Sequence, residues 1–187
     1  MALEKPVVKQ VGIGVFFAEA VEAVYPGSGG FSAEAWVKAG RASDGVIASS
    51  GECCGVTRYW TMATSLSDGK ALLYGRLNDG GGEISGVGSR NLADGKWHHV
   101  ALVRERRAGA GEGRITGFVD GAQEFEFPDS TGEISDFNTA VFVGSANPEQ
   151  NEWFEGSVAG VKMVPRALSA TEVAGSYNSL KKVFEQL

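Results

Sequence analysis

Over residues 31–39 apolar and polar positions alternate strictly. Phe31, Ala33, Ala35, Val37 and Ala39 fall on one side, and Ser32, Glu34, Trp36 and Lys38 on the other. Successive strand residues point to opposite faces, so the segment predicts a half-buried strand. Similar short runs predict strands over 46–50, 59–64, 71–77, 98–104, 114–119, 124–127, 140–143 and 157–164. Asp68-Gly69, Asp79-Gly80, Asp94-Gly95 and Asp120-Gly121 separate them with residues suited to positive φ, and the glycines of 80–82 and 109–113 mark looser loops. The last segment has a different period. Ser169 and Glu172 are spaced as a capping box, and Val173, Tyr177, Leu180 and Phe184 follow at helical spacing, which predicts a helix over 170–187. Gly175 and Asn178 weaken its middle, so a single turn followed by a separate tail is the alternative. Many short strands with such punctuation predict an all-β, two-sheet antiparallel sandwich or jelly roll with a short C-terminal helix, as one domain over 1–187.

Composition adds weight to the turns. The 187 residues include 27 glycines, about twice the usual share of roughly 7%, without a collagen-like period. A 43% apolar and 21% charged content suits a globular chain long enough to bury a core. The net charge of -6 argues against a nucleic-acid partner, which would need a lysine and arginine excess. The basic cluster Arg104, Arg106 and Arg107 reads as a solvated strand end. Cys53 and Cys54 are adjacent, which is poor geometry for a bridge and too few ligands for a metal, so two free thiols are expected. No run approaches the roughly 20 apolar residues of a membrane span. No secretory signal is recognisable after Met1, because the stretch 11–17 is short, glycine-interrupted and followed by Glu19.

Two stretches carry more than alternation. DGKWHHVALV, from Asp94, is followed after a basic loop by GRITGFVDG, from Gly113; further on comes WFEGSVAGVKMVPRALSATEV, from Trp153. Together with FSAEAWVKA they resemble the signature segments of the laminin-G-like, concanavalin-A-like lectin and glucanase jelly-roll family, in order, over about 140 residues from Phe31 to Val173. The resemblance implies the fold, but a wide choice of functions, from adhesion and sugar binding to accessory domains of enzymes. Within these segments Gly95 and Gly121 are expected to turn hairpins, Trp97, Val100, Leu102 and Phe118 to fill the core between the sheets, and Pro165 to end the last strand. His98 and His99, as strand neighbours, face opposite ways and cannot chelate as a pair. The resemblance implies a structural role for His99.

Relatives of this fold include glucanases whose catalytic carboxylates stand in a pattern close to Glu-x-Asp-x-x-Glu. The nearest segment here, EFEFPD, offers Glu124 and Glu126 on a shared wet face with Asp129 following, in the wrong order and types for a retaining pair roughly 5 to 5.5 Å apart. There is no Gly-x-Ser-x-Gly elbow, and the glycine-rich NDGGGE lacks the lysine and helix of a phosphate cradle. The expectation is therefore a protein that binds and does not catalyse. Calcium is the one cofactor considered, with oxygen donors at Asp79 and Glu83, beside Asn78, and in the set Asn147, Glu149, Asn151 and Glu152. For a sugar, Tyr59, Trp60, Tyr74 and Trp153 would supply stacking faces, and Asn78, Asp79 and Asn151 the polar partners.

Laminin-G-like domains usually act outside the cell, whereas this sequence has no recognisable export signal. The leading expectation is accordingly a bacteriophage virion surface protein, a capsid decoration or attachment protein, docked on capsid or other virion proteins through Leu180, Val183, Phe184 and Leu187, with homo-oligomerisation an option. The alternative is a carbohydrate-binding or adhesion module with glycan partners, free-standing or excised from a secreted extracellular protein; a glycoside hydrolase ranks last.

Overall fold

The structure is a computed structural model that describes residues 9–10, 27–50, 58–106, 113–134, 141–145 and 153–187. Cys53, Cys54, Arg107, Asn147, Glu149, Asn151 and Glu152 lie outside the described residues. In chain order the strands are β1 (Lys9–Gln10), β2 (Phe31–Lys38), β3 (Gly45–Ser50), β4 (Arg58–Ser67), β5 (Lys70–Asp79), β6 (Glu83–Asn91), β7 (Trp97–Glu105), β8 (Gly113–Val119), β9 (Ala122–Asp129), β10 (Val141–Val143) and β11 (Ser157–Val164), followed by the helix α1 (Ala170–Phe184). They form two sheets, ordered β1-β10-β3-β4-β5-β6 and β11-β2-β7-β8-β9. Among the described strands the pairings are antiparallel except that of β1 with β10. The expected all-β sandwich with a C-terminal helix is thus the fold.

The alternation rule explains the core. Phe31, Ala33, Ala35 and Val37 of β2 and Val100 and Leu102 of β7 face Trp60, Met62, Leu73 and Leu77 of the other sheet. Yet β2 is buried on both faces, not half-buried as its polar positions suggest. The reason is α1, which lies over the outer side of the five-stranded sheet. Ala101, Val103 and Phe118 pack there against Leu168 and Val173. Trp36 packs with Phe184, Trp97 and Tyr177. Trp97 and Phe118 therefore fill the space beneath the helix and not the space between the sheets, because they share strand parity with Ala101.

The helix begins as its sequence indicates. Ser169 Oγ accepts from the Glu172 amide at 3.3 Å, and Glu172 Oε2 accepts from the Ser169 amide at 2.8 Å. Arg166 binds the same carboxylate at 2.7 Å and holds its pKa down at about 2. The helix continues through Gly175 and Asn178 to Phe184, so the alternative of a single turn does not hold.

Asp68-Gly69 and Asp120-Gly121 have φ of 49°, 73°, 52° and 75°, as two-residue hairpins with positive φ at both positions require. Gly95 does not turn a hairpin. It lies where the chain crosses from β6 to β7, hence from one sheet to the other, and its amide donates to the Ala39 carbonyl at 3.0 Å.

Arg104 is the largest departure from expectation at the strand ends. It shares inward parity with Val100 and Leu102 and is fully buried, not solvated. Its Nε donates to Asp129 Oδ2 at 2.7 Å, Nη1 to the carbonyls of Gly27 and Gly29, and Nη2 to the carbonyls of Thr131 and Gly132.

Candidate functional site

Cross-strand register places a set of side chains on the outer face of the six-stranded sheet. Residues in register share a face, and Trp60 and Met62 point into the core, so their neighbours Tyr59, Thr61 and Ala63 point outward. One row crosses the sheet from Val46 through Ala63 and Tyr74 to Val87. Trp153 forms an isolated parallel bridge with Val46, which extends this row by an aromatic residue. A second row holds Ser49, Thr61, Arg76 and Ser85, and a third Tyr59, Asn78 and Glu83.

The β3 side of this face is closed, since Val46, Ser49, Thr61 and Ala63 are buried. The β5–β6 side is open: Tyr59, Tyr74, Arg76 and Asn78 are half-buried, Ser85 is exposed and Val87 is 49% exposed. Polar contacts fix its geometry. Tyr59 Oη donates to Glu83 Oε2 at 2.6 Å, the Arg76 guanidinium lies 5.1 Å above the Tyr59 ring, and Arg76 Nη1 stands 3.8 Å from Glu83 Oε2. Partial burial, together with the Glu83 carboxylate, pushes the Tyr59 hydroxyl up to about 12, so it remains a donor throughout the neutral range.

The expected sugar-face residues separate accordingly. Tyr59, Tyr74 and Asn78 come together on the open part of the face, whereas Trp153 stands on the same row beyond the buried Val46 and Ala63. Trp60 does not: its even parity turns it inward, where it is 0% exposed with its ring 5.2 Å from Phe31. Asp79 is also turned away, because its carboxylate accepts from the amides of Gly81, Gly82 and Gly132. The Gly132 amide leads in holding its pKa below the usual carboxylate range. The anticipated calcium pair is not assembled as a ligand set, for Asp79 is committed to those amides and Glu83 to Tyr59 and Arg76. Among the described residues no group of three or more His, Cys, Asp or Glu side chains is arranged to hold a metal ion. Arg76, Ser85 and Val87 were not singled out from sequence, although the alternation of Tyr74, Arg76 and Asn78 along β5 carried the signal for Arg76.

Glu124 and Glu126 do not share a face. A bulge in β9 between the partners of Gly117 and Phe118 turns Glu124 toward β6. There Glu124 Oε2 accepts from the amides of Ser89 and Arg90, while Glu126 pairs outward with Arg114. Asp129 is buried on Arg104.

The two histidines lie on opposite faces of β7. His98 Nδ1 is 2.9 Å from Asp120 Oδ2 and Nε2 is 3.1 Å from Asp94 Oδ1. Burial opposes the charge on His98, but hydrogen bonds to Asp120 and Asp94 outweigh it and raise the pKa. A histidine with a raised folded pKa contributes stability that is full below its unfolded value, roughly 6.5, and is lost as pH rises through the folded value. Thermal melts should therefore show the wild-type advantage over His98→Asn greatest at acidic pH and shrinking as pH rises past that point. A constant difference would mean that the charge of His98 is not involved. His99, beneath the helix, has its pKa lowered by burial and opposes this trend in both proteins equally.

A family model described as the concanavalin A-like lectin/glucanases superfamily, Laminin_G_3, matches residues 17–174. None of the curated proteins matches the sequence. Among solved structures, the native heptameric SAP-like pentraxin of Limulus polyphemus is 19% identical with a TM-score of 0.57, the alignment covering 78% of this chain and 68% of that one. Domains LG4-5 of the mouse laminin α1 chain are 16% identical at a TM-score of 0.56, covering 76% of this chain and 37% of that one. The CBM40 of the Ruminococcus gnavus IT-sialidase bound to α2,3-sialyllactose is 14% identical at a TM-score of 0.64, covering 81% and 84%. Among the described residues no helix is long and apolar enough to cross a membrane.

Proposed function

The chain belongs to the concanavalin A-like lectin/glucanase superfamily, and from that premise we infer that it is a non-catalytic carbohydrate-binding module whose glycan lies on the outer face of the six-stranded sheet. One observation carries this reading: register gathers Tyr59 and Tyr74 with Arg76, Asn78, Glu83 and the exposed Val87 on one open face. Aromatic rings there offer flat apolar surfaces to a sugar, and the guanidinium, amide, carboxylate and phenol offer both donors and acceptors to its hydroxyls. Neighbours named for carbohydrate binding, such as the sialyllactose-bound CBM40, support the class of ligand. On this reading the sequence-based ranking reverses, and the glycan module precedes the virion protein.

The test is glycan-array binding by wild type and Tyr74→Ala. The substitution is expected to weaken binding about tenfold or more, equivalent to roughly 1.4 kcal/mol, with little change in melting temperature because the ring is half exposed. Unchanged affinity in both Tyr74→Ala and Arg76→Ala would remove the proposed face. Glycosidase turnover abolished at Glu124 or Glu126 would overturn the non-catalytic reading.

The second reading, docking onto a larger assembly such as a virion, draws on the exposure of Leu180, Val183 and Leu187 at 43%, 53% and 65%. Phe184 leaves this set because it is turned onto Trp36 and is 9% exposed. Association with capsids or self-association in light scattering, abolished by Val183→Glu, would favour it.

A further inference from the structure

Beneath the second half of α1 lies an aromatic and polar patch on the outer side of the five-stranded sheet. The Phe184 ring lies nearly flat on Trp36, with centroids 4.2 Å apart and planes at 11°. Trp97 meets the same ring at 5.0 Å and 59°. The two indoles thus form adjacent walls around one flat ring supplied by the helix. Glu34, His99 and Lys162 stand beside it: Glu34 Oε1 is 3.5 Å from His99 Nε2, and Oε2 is 3.3 Å from Lys162 Nζ and from Ser176 Oγ. Glu34 and His99 are each only 2% exposed. Glu34 Oε1, His99 Nδ1 and Trp97 Nε1 are buried yet find no hydrogen-bond partner. Buried polar atoms are ordinarily satisfied, so the helix leaves uncompensated polar capacity at this place.

The cover divides into two parts of unequal attachment. The first half of α1 is held by the capping box and by Val173, packed with Phe118 and Leu168. Beyond Gly175 and Asn178, both poor helix formers, the only buried side chain is Phe184, while Leu180, Val183 and Leu187 are exposed. The last attachment, Lys38 Nζ to the Leu187 carbonyl, is a 3.4 Å contact in an exposed position.

We propose that residues 178–187 form a displaceable cover over a second ligand face, and that this face takes a hydroxylated sugar ring in place of the Phe184 side chain. Trp36 receives the flat side of the ring, and Glu34, His99, Trp97 Nε1 and Lys162 meet its hydroxyls. Only the ligand class rests on the reading in the preceding subsection; the cover and the face do not. Because the ligand competes with Phe184, the apparent affinity of the intact protein is reduced by the fraction of molecules in which the cover is closed.

The test compares wild type, Phe184→Ala, and the doubles Phe184→Ala/Glu34→Gln and Phe184→Ala/Tyr74→Ala on an array of neutral and acidic glycans including lactose and α2,3-sialyllactose. Phe184→Ala is expected to gain about tenfold or more in affinity for at least one glycan. Glu34→Gln should reduce that gain, and Tyr74→Ala should leave it intact. A cooperatively melting Phe184→Ala protein that gains binding to no glycan overturns the proposal. Loss of wild-type binding in Tyr74→Ala with the gain retained supports both faces. Hydrogen exchange on the wild-type protein supplies a readout that no substitution can confuse. Amides of 178–187 should exchange about tenfold or more faster than those of 173–177, as local opening of a weakly held unit requires, and equal protection along α1 also overturns it.

Discussion

Replacing Arg104 by methionine is expected to cost about 3–5 kcal/mol of unfolding free energy, seen in urea melts and as a fall in melting temperature of roughly 10 °C. Methionine fills much of the volume of the side chain but supplies none of its donors. The guanidinium reaches five oxygens of Gly27, Gly29, Thr131, Gly132 and Asp129 in addition to the Thr131 hydroxyl, all within 3.3 Å. Burial draws the Arg104 pKa downward, but Asp129 beside it sustains the charge. Without the guanidinium, the buried Asp129 carboxylate would keep Thr131 and the more distant Arg106, 3.7 Å away. Removing one member of a buried pair is the costly change, so Arg104→Met/Asp129→Leu should be more stable than Arg104→Met alone. Arg104→Lys keeps the charge but not the planar fork, and should recover only part of the loss. If Arg104→Met melts within about 1 kcal/mol of wild type, the clamp is not what holds these segments together.

The consequence extends to the binding face. Gly132 is held from both sides, its carbonyl by Arg104 and its amide by Asp79 at 2.7 Å. Asp79 ends β5, the strand that carries Tyr74, Arg76 and Asn78. The buried clamp and the open face are therefore joined through one short segment, and weakening the first should loosen the second.

That connection was hidden in the sequence for a definite reason. Strict alternation identified the inner side of β2, and similar short apolar runs the strands β3, β4, β5, β7, β8, β9, β10 and β11. The same rule could have placed Arg104 inward with Val100 and Leu102, but a charge at a strand end is ordinarily solvated, and its six acceptors come from segments remote in sequence. β6 was missed because Gly86 and Gly88 stand where apolar residues would announce a strand. A Cβ on Gly86 would come within 2.5 Å of Phe127, and one on Gly88 within 3.1 Å of Glu124, so the spaces that conceal the strand are filled from β9. The burial of Trp36 and the partial burial of Trp97 depended on α1 crossing the sheet, which no local pattern encodes. Tyr74 and Tyr59 were legible as candidates, whereas separating them from Trp60 required only the parity of β4 and a known inward side.

Gly117→Ala should be nearly as damaging as many larger core changes, at about 1–3 kcal/mol, because the added methyl has nowhere to go. A Cβ on Gly117 would lie 2.3 Å from two atoms of the Phe125 ring. The ring cannot simply withdraw. It is bounded across the sandwich by Gly75 and Gly86, whose own Cβ positions would come within 3.1 Å and 3.0 Å of it, and it stacks on Phe127 with centroids 5.8 Å apart. Three glycines from three strands of both sheets thus make room for one aromatic ring near the edge where β6 meets β9. The explanation makes a pairwise prediction. Phe125→Leu alone should destabilise by leaving part of that space empty, yet in the Gly117→Ala background it should relieve the clash, so the two changes together cost less than their sum. Additive losses in a double-mutant cycle by chemical denaturation would show that the cost of Gly117→Ala arises elsewhere in β8, and would remove Phe125 as the reason for glycine at this position.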